Sequence, residues 1–248
     1  TKGEAAVVMY NALKAKVQKD EKGRTLAEKL VADGKMNKEL AVANGLVSGE
    51  PEKLEVAEVK ADNLREAVVT FNGTVDKATA EKVGNYKATG KTFGKAKVLE
   101  DNKTVVLTLN GTNAFENNKA IKLTVAGVKN VAGVVMTKQE INFTPKDVEY
   151  PVVKNVVYTG PKSLEITFSE PIKQAGKVVL KAGNSTLSAK AEISEGDERV
   201  VEVTTFSTLK DGTEYLVCVG DPKNSNQYAK DYANYPNIYF EGTYAYTA

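Results

Sequence analysis

Hydrophobic and polar positions along the chain change period once. Up to about residue 50 the apolar residues recur at helical spacing. Ala5, Val8, Met9, Ala12, Leu13 and Val17 form one such stripe, and Thr1 with Glu4 has the spacing of a capping box. A second capping box, Thr25 and Glu28, opens a helix carrying Leu26, Leu30 and Val31, which Asp33-Gly34 ends. Met36 to Ala43 reads as a further short helix stopped by Asn44-Gly45, and Ser48 to Pro51 as a linker. These helices are too short to stand alone and need a partner surface.

After Leu54 the alternation has period two. Strands are predicted at Val56 to Lys60, Ala67 to Phe71, Tyr86 to Thr89, Lys95 to Leu99, Thr104 to Leu109, Ile121 to Val125 and Gln139 to Phe143, with a helical turn between Val75 and Gly84. The pattern then repeats. Val59 matches Val156, Val69 matches Ile166, Thr70-Phe71 match Thr167-Phe168, and Val75 matches Ile172 without a gap. Val105 to Thr108 is aligned with Val200 to Val203, and Leu123 to Val125 with the neighbourhood of Leu216 to Cys218. Ile238 to Phe240 is expected as the last strand, matching Ile141 to Phe143. Short strands with turns every 8 to 12 residues predict β-sandwiches of immunoglobulin type. The expected fold class is therefore mainly β: two tandem immunoglobulin-like β-sandwiches preceded by a short α-helical segment. The expected divisions are 1–50, 51–146 and 147–248.

Composition removes several functions. The 248 residues contain no histidine, which excludes Ser-His-Asp and Cys-His catalysis and the commonest transition-metal ligand. One cysteine, Cys218, forbids an intrachain disulfide and reads as a small apolar side chain in a strand. The 34 basic and 32 acidic residues are interspersed, so neither a nucleic-acid nor a membrane partner is expected. Glu165 and Glu170 flank a strand end, but a pair of carboxylates in so acid-rich a chain is no signature of glycoside hydrolysis. No catalytic residue is assigned, and the chain is not expected to be an enzyme.

Thr1-Lys-Gly-Glu-Ala-Ala6 resembles the opening of a helix in surface-layer-homology modules, whose Thr-Arg-Ala-Glu motif helps bind secondary cell-wall polysaccharide. Lys2 stands at the arginine position, Gly3 departs from the alanine, and Glu4 agrees. The two repeats are similar to the immunoglobulin-like domains of bacterial surface-layer proteins. The Val-Thr-Phe-Ser-Glu-Pro-Ile signature appears as Thr167 to Ile172, and the Gly-Val-x-Asp-x-Ala-Gly-Asn turn as Gly127 to Val134, with Asn130 at the acidic position.

The resemblance implies an extracellular protein of the cell-wall surface layer. It implies a two-dimensional lattice with copies of itself, wall polysaccharide held through N-terminal modules mostly absent here, and calcium as the one candidate cofactor. Lys2 and Glu4 are the polysaccharide candidates. Asp101 with Asn102, Asp197 between Glu195 and Glu198, and Asp221 with Asn224 and Asn226 are the calcium candidates, because calcium takes hard oxygen ligands; turn chemistry accounts for them equally well. Tyr235, Tyr244 and Tyr246 form a candidate contact surface. The alternative is a spacer or carbohydrate-binding part of a wall-anchored exoenzyme or adhesin.

Overall fold

The computed structural model describes residues 2–49, 53–233 and 238–247. The chain divides into two compact units. Unit one comprises Thr1–Lys60, Val68–Asn110 and Ile121–Phe143; unit two comprises Ala61–Ala67, Gly111–Ala120 and Thr144–Ala248.

Unit one opens with helices α1 (Lys2–Lys14), α2 (Leu26–Ala32) and α3 (Lys38–Ala43). The predicted cap at Thr1 lies outside the described residues. The capping box at α2 is formed in both directions: the Glu28 N–H donates to Thr25 Oγ1 at 3.2 Å, and the Thr25 N–H donates to Glu28 Oε2 at 2.7 Å. Asn37 caps α3 by accepting from the Leu40 N–H, and its Nδ2 donates to Thr74 Oγ1 at 3.2 Å, which ties the helix to the β-structure. Only the small side chains Ala27 and Ala41 are buried on α2 and α3. Helix α1 leaves Val7, Val8 and Met9 exposed.

Seven strands follow: β1 (Val56–Lys60), β2 (Glu66–Phe71), β3 (Tyr86–Ala88), β4 (Phe93–Val98), β5 (Thr104–Leu109), β6 (Ile121–Val125) and β7 (Gln139–Phe143). They form a four-stranded sheet in the order β1-β2-β5-β4 and a three-stranded sheet in the order β3-β6-β7. That is the strand order of an immunoglobulin constant-type sandwich. Alternate residues Val69, Phe71, Val105, Leu107 and Leu109 of the first sheet are buried, as are Tyr86, Leu123, Val125 and Phe143 of the second. The predicted helical turn is α4 (Lys77–Ala80), capped by Asp76.

Unit two contains β8 (Val153–Gly160), β9 (Ser163–Phe168), β10 (Ile172–Gln174), β11 (Val178–Ala182), β12 (Ser185–Ile193), β13 (Val200–Thr205), β14 (Thr213–Val219), β15 (Lys230–Asp231) and β16 (Phe240–Tyr246). Here β12 is long enough to change partner. Ser185 to Ser188 pair with β11, and Ala189 to Ile193 pair with β13. One sheet therefore runs β16-β14-β11-β12-β13-β9-β8. Cut between β11 and β12, it gives the two strand sets of unit one in the same order. The core gathers Leu164, Ile166, Phe168, Ile172, Leu180, Val201, Val203, Tyr215, Val217 and Val219. Each such Val, Leu, Ile or Phe contributes about 1.5–3 kcal/mol of burial before entropy is counted.

One expected alignment is corrected by the hydrogen bonds, and a second is made definite. The Phe71 N–H donates to the Lys103 carbonyl and the Phe168 N–H to the Arg199 carbonyl, so Val105 corresponds to Val201 rather than Val200. Burial agrees, since Val105, Leu107, Val201 and Val203 are all buried. Tyr86 pairs with Val125 and Val178 with Val219, so Leu123 corresponds to Val217. A slip of one residue turns every side chain to the opposite face, and burial exposes the slip. The last strand also starts later than expected. Ile238 only bridges Ala229, while β16 begins at Phe240, where the predicted strand ends.

Candidate functional site

The most elaborate polar structure lies in unit two, where segments 61–67 and 111–120 meet the strands of the second repeat. Backbone bonds place them. Lys146 N–H donates to the Ala61 carbonyl at 2.9 Å, and Phe115 N–H to the Leu64 carbonyl at 2.7 Å. The Asn117 amide clasps Asp147 from both sides: its Nδ2 donates to the Asp147 carbonyl at 2.8 Å, and its Oδ1 accepts from the Asp147 N–H at 3.0 Å. Asn63 Oδ1 accepts from the N–H groups of Arg65 and Glu66, which closes a tight turn and aims those two side chains inward.

Arg65 is 2% exposed. Its Nε and Nη2 donate to Glu198 Oε2 and Oε1, each at 2.6 Å; Nη1 donates to the Asn113 carbonyl and Nη2 also to the Gly111 carbonyl. Tyr232 lies under the guanidinium, 5.0 Å from it to the ring centroid, and its hydroxyl donates to Glu198 Oε2 at 3.1 Å. The adjacent pair runs the other way. Arg199 grips both oxygens of Glu66, with Nη1 2.8 Å from Oε1 and Nη2 on Oε2. Two neighbouring residues of opposite sign thus meet two others in reversed order, as two forked ion pairs. Burial is the largest single influence and would lower the Arg65 pKa, but the bond to Glu198 together with the charges of Glu198 and Glu66 makes the net shift upward.

Beside this clasp are three buried carboxyls: Asp147 (2% exposed), Glu170 (9%) and Asp231 (2%). Burial, and then the charge of Asp231, push Asp147 up to about 6, against a hydrogen bond from the Leu64 N–H. Burial, then Asp147 and Asp231, push Glu170 up to about 8. Asp147 Oδ1 is buried without a hydrogen-bond partner. Among the described residues no group of three or more His, Cys, Asp or Glu side chains has the arrangement to hold a metal ion.

Of the candidates singled out from the sequence, Asp197 adjoins Glu198 and Arg199 of this clasp, and the others lie elsewhere and are not brought together. Lys2 begins α1, its side chain outside the described residues, and Glu4 is exposed on the same helix. Asp101 is a turn residue: its carboxylate accepts from the N–H groups of Lys103 and Thr104 and from Thr104 Oγ1 at 2.6 Å, and these bonds hold its pKa below the usual range. Asn102 follows at φ 53, a left-handed conformation Asn tolerates. Asp197 accepts from the Arg199 N–H and Asp221 from the Lys223 N–H, the same two-residue turn in each case. Tyr246 is 5% exposed and packs edge-on against Tyr158 at 5.3 Å. Tyr244 is half-buried on the same strand, and Tyr235 lies outside the described residues.

Sequence reasoning missed Arg65, Glu66 and Arg199, and placed Glu198 only in a calcium-candidate cluster rather than in an ion pair. The only one-dimensional trace is the reversed charge order of two dipeptides 133 residues apart, and nothing in the sequence joins them.

Relatives decide the wider identity. The chain is 35% identical over 188 residues to the surface-layer 125 kDa protein of Lysinibacillus sphaericus, a match covering 74% of this chain and 15% of that protein. The chain is a homologue of bacterial surface-layer proteins. It is also 37% identical over 149 residues to the outer cell wall protein of Brevibacillus brevis, covering 60% of this chain and 14% of that one. The chain thus spans about a seventh of the length of these relatives. Both are layer or wall proteins by name rather than enzymes, and as their homologue the chain belongs at the cell surface. No protein-family model matches it. The N-terminal part of the S-layer protein SbsC aligns over 98% of this chain and 53% of its own, at 18% identity and a TM-score of 0.42, too low a similarity to carry an argument. No helix among the described residues is long and apolar enough to cross a membrane.

Proposed function

We propose that this chain is a structural segment of a surface-layer subunit, and that its β-units serve as lattice modules which associate with further copies of the protein. The observation that carries this is the 35% identity to a surface-layer protein across 74% of the chain. The surface of unit two suits such a role. Strands β8 and β16 end the seven-stranded sheet, and Val148, Tyr150, Val152, Val157 and Phe206 are exposed. Exposed apolar groups in numbers, next to an unpaired strand edge, favour contact with another protein surface. A contact that repeats from copy to copy without closing builds an extended array, so each contact is permitted to be weak.

Anchoring to secondary cell-wall polysaccharide is assigned to the wider protein, of which this chain is a small part. Calcium is the ion proposed to promote assembly. Electron microscopy of the chain extended by its natural flanks, with and without calcium, tests the whole reading. Ordered sheets support it, and sheets only with calcium support the ion as well. Dispersed particles at every concentration in both conditions refute it. Within sheet-forming protein, Phe206→Ser should weaken assembly while leaving the folding transition within about 0.5 kcal/mol, as for other surface substitutions.

A further inference from the structure

Unit one fills the corner that corresponds to the carboxyl cluster of unit two differently: a Cβ on Gly73 would meet Glu39 Oε1, which comes from α3, at 2.6 Å. Glu55 N–H donates to Asn72 Oδ1 while Asn72 N–H donates to the Glu55 carbonyl; Val152 and Ser169 make the same reciprocal pair. Asn72 therefore stands where Ser169 stands, and the next residues, Gly73 and Glu170, are equivalent. Val75 bridges Asn130, and Ile172 pairs with Asp231, so Asn130 and Asp231 are equivalent too. At the two positions where unit one has a hydrogen atom and an amide, unit two has carboxyls. Asp147 comes from the stretch between β7 and β8 and completes the group.

Little cationic charge answers Glu170 and Asp147. Glu170 faces Asp147, Asp231, Glu149 and one cation, Arg199. Both forks of Arg199 are committed to Glu66, and Asp197 lies 3.7 Å from it. Asp147 faces Asp231 and the Leu64 N–H, and its Oδ1 is buried with no hydrogen-bond partner. Three mutually close carboxylates in a low-dielectric interior cannot all ionise at small cost.

We propose that Asp147 and Glu170, buried beside Asp231, form a proton-held lock in unit two, closed while the two carboxyls are protonated and loosened as they ionise. Loosening acts on segments 61–67 and 111–120 of unit two, because Asp147 is the residue clasped by Asn117 and bonded by Leu64. The pKa values of the folded chain lie above the roughly 4 of unfolded carboxyls. Folding therefore takes up protons. The stabilisation is complete below about pH 4 and is lost as pH rises through the values near 6 and 8.

The test is urea denaturation of the complete 248-residue chain at steps from about pH 5 to about pH 9, with carboxyl NMR titration beside it. The unfolding midpoint of unit two should fall across this range. Glu170→Gln should remove roughly half of the fall or more, whereas Glu165→Gln, an exposed acid on β9, should leave it unchanged. NMR should place at least one of Asp147 and Glu170 above the usual carboxylate range in the unaltered protein, a readout that does not depend on any variant folding. A midpoint slope unaffected by both Glu170→Gln and Asp147→Asn, or ordinary titrations of both carboxyls, overturns the proposal. So does calcium that binds the unaltered chain and abolishes the slope without protons, because the cluster would then be a cation site.

Discussion

The two β-units share one strand order but stabilise the same corner differently. In unit one the corner holds Gly73, with Glu39 Oε1 of α3 2.6 Å from where a Cβ on that glycine would lie, then Asn130 and the turn Asp101-Asn102-Lys103. Asn130 closes its own turn by accepting from the Val134 N–H at 2.9 Å. In unit two the equivalent corner carries Glu170, Asp231 and Glu198-Arg199, and it is built into a cluster of buried charge. The other shifted carboxylates follow their surroundings rather than their unit, since Glu241 of unit two is held down by a hydrogen bond from Tyr239. Asp20, Asp101 and Glu140 of unit one are held down by hydrogen bonds, from Arg24, from Thr104 and from Lys138. Asp147 and Glu170 of unit two are pushed up by burial. A fold repeated in one chain tolerates different electrostatic solutions at one position, provided the apolar alternation of the strands is kept. Of the two corners, that of unit two, with its buried forked ion pairs, is the costlier to disturb.

The cores set the scale. Phe71 and Phe168 are equivalent, and both are buried. Phe71→Ala and Phe168→Ala should each cost about 3–5 kcal/mol. Calorimetry of the two variants should show each lowering a different part of the unfolding profile. If both lower one common transition alike, the units do not unfold separately and the comparison has to be made on the whole chain.

The charged clasp comes next. Arg65→Ala strands Glu198 opposite an empty site and leaves the Gly111 and Asn113 carbonyls without this donor. Removing one partner of a buried pair costs about 3–5 kcal/mol, and because Glu198 keeps some solvent contact, about 2–4 kcal/mol is expected here. Lys103→Ala, at the position in unit one that matches Arg199, should stay within about 0.5 kcal/mol. Equal effects in urea denaturation would mean that the clasp contributes no more than an ordinary surface residue.

The glycines preceding β3 and β11 give a smaller contrast. Tyr86 and Val178 occupy equivalent places, so Gly84 and Gly176 do as well. A Cβ on Gly84 would meet nothing within 4 Å, whereas on Gly176, at φ 75, it would lie 2.5 Å from the Ala229 nitrogen. Gly176→Ala should cost about 1–3 kcal/mol through backbone strain, and Gly84→Ala less than about 0.5 kcal/mol. Thermal melts of the two variants separate these outcomes.

How much of this the sequence shows follows from range. Alternation and turn residues are local, so most strands, the Thr25–Glu28 capping box and the helical turn before β3 were legible. The mainly β class with a short helical start followed from them. Alignment of the repeats held through Ile172 because no residue is inserted there. Beyond it the second copy is one residue shorter before Arg199, and similar Val-rich runs disguise the slip. The clasp was invisible for a different reason. Arg65 and Glu198 meet only because a turn of the first repeat belongs to the second compact unit, and a pairwise charge contact leaves no periodic trace. Glu170 was noticed as an acid at a strand end, but not its burial beside Asp147 and Asp231.

The smallest effect bears on the ion. Asp101 and Asp197 are equivalent turn residues, yet Asp101 accepts three hydrogen bonds, while Asp197 accepts the Arg199 N–H and meets the Arg199 guanidinium only at 3.7 Å. At about 0.5–1.5 kcal/mol net for each such bond, and discounting for exposure, Asp101→Ala should cost about 1–2 kcal/mol and Asp197→Ala about half of that. The pKa of Asp101 is lowered in the folded chain, so its contribution is present above about pH 4 and is lost as pH falls through the folded value. Asp101→Ala should therefore flatten the acid limb of the urea midpoint curve of unit one and leave the alkaline limb alone. Repeating the curve in calcium separates turn from ion site. If the turn bonds are the whole role of Asp101, calcium moves the unaltered chain and the variant equally. If Asp101 is a ligand, calcium stabilises the unaltered chain and not the variant, and the carboxylate bonds drawn to Thr104 and Lys103 must yield to the ion.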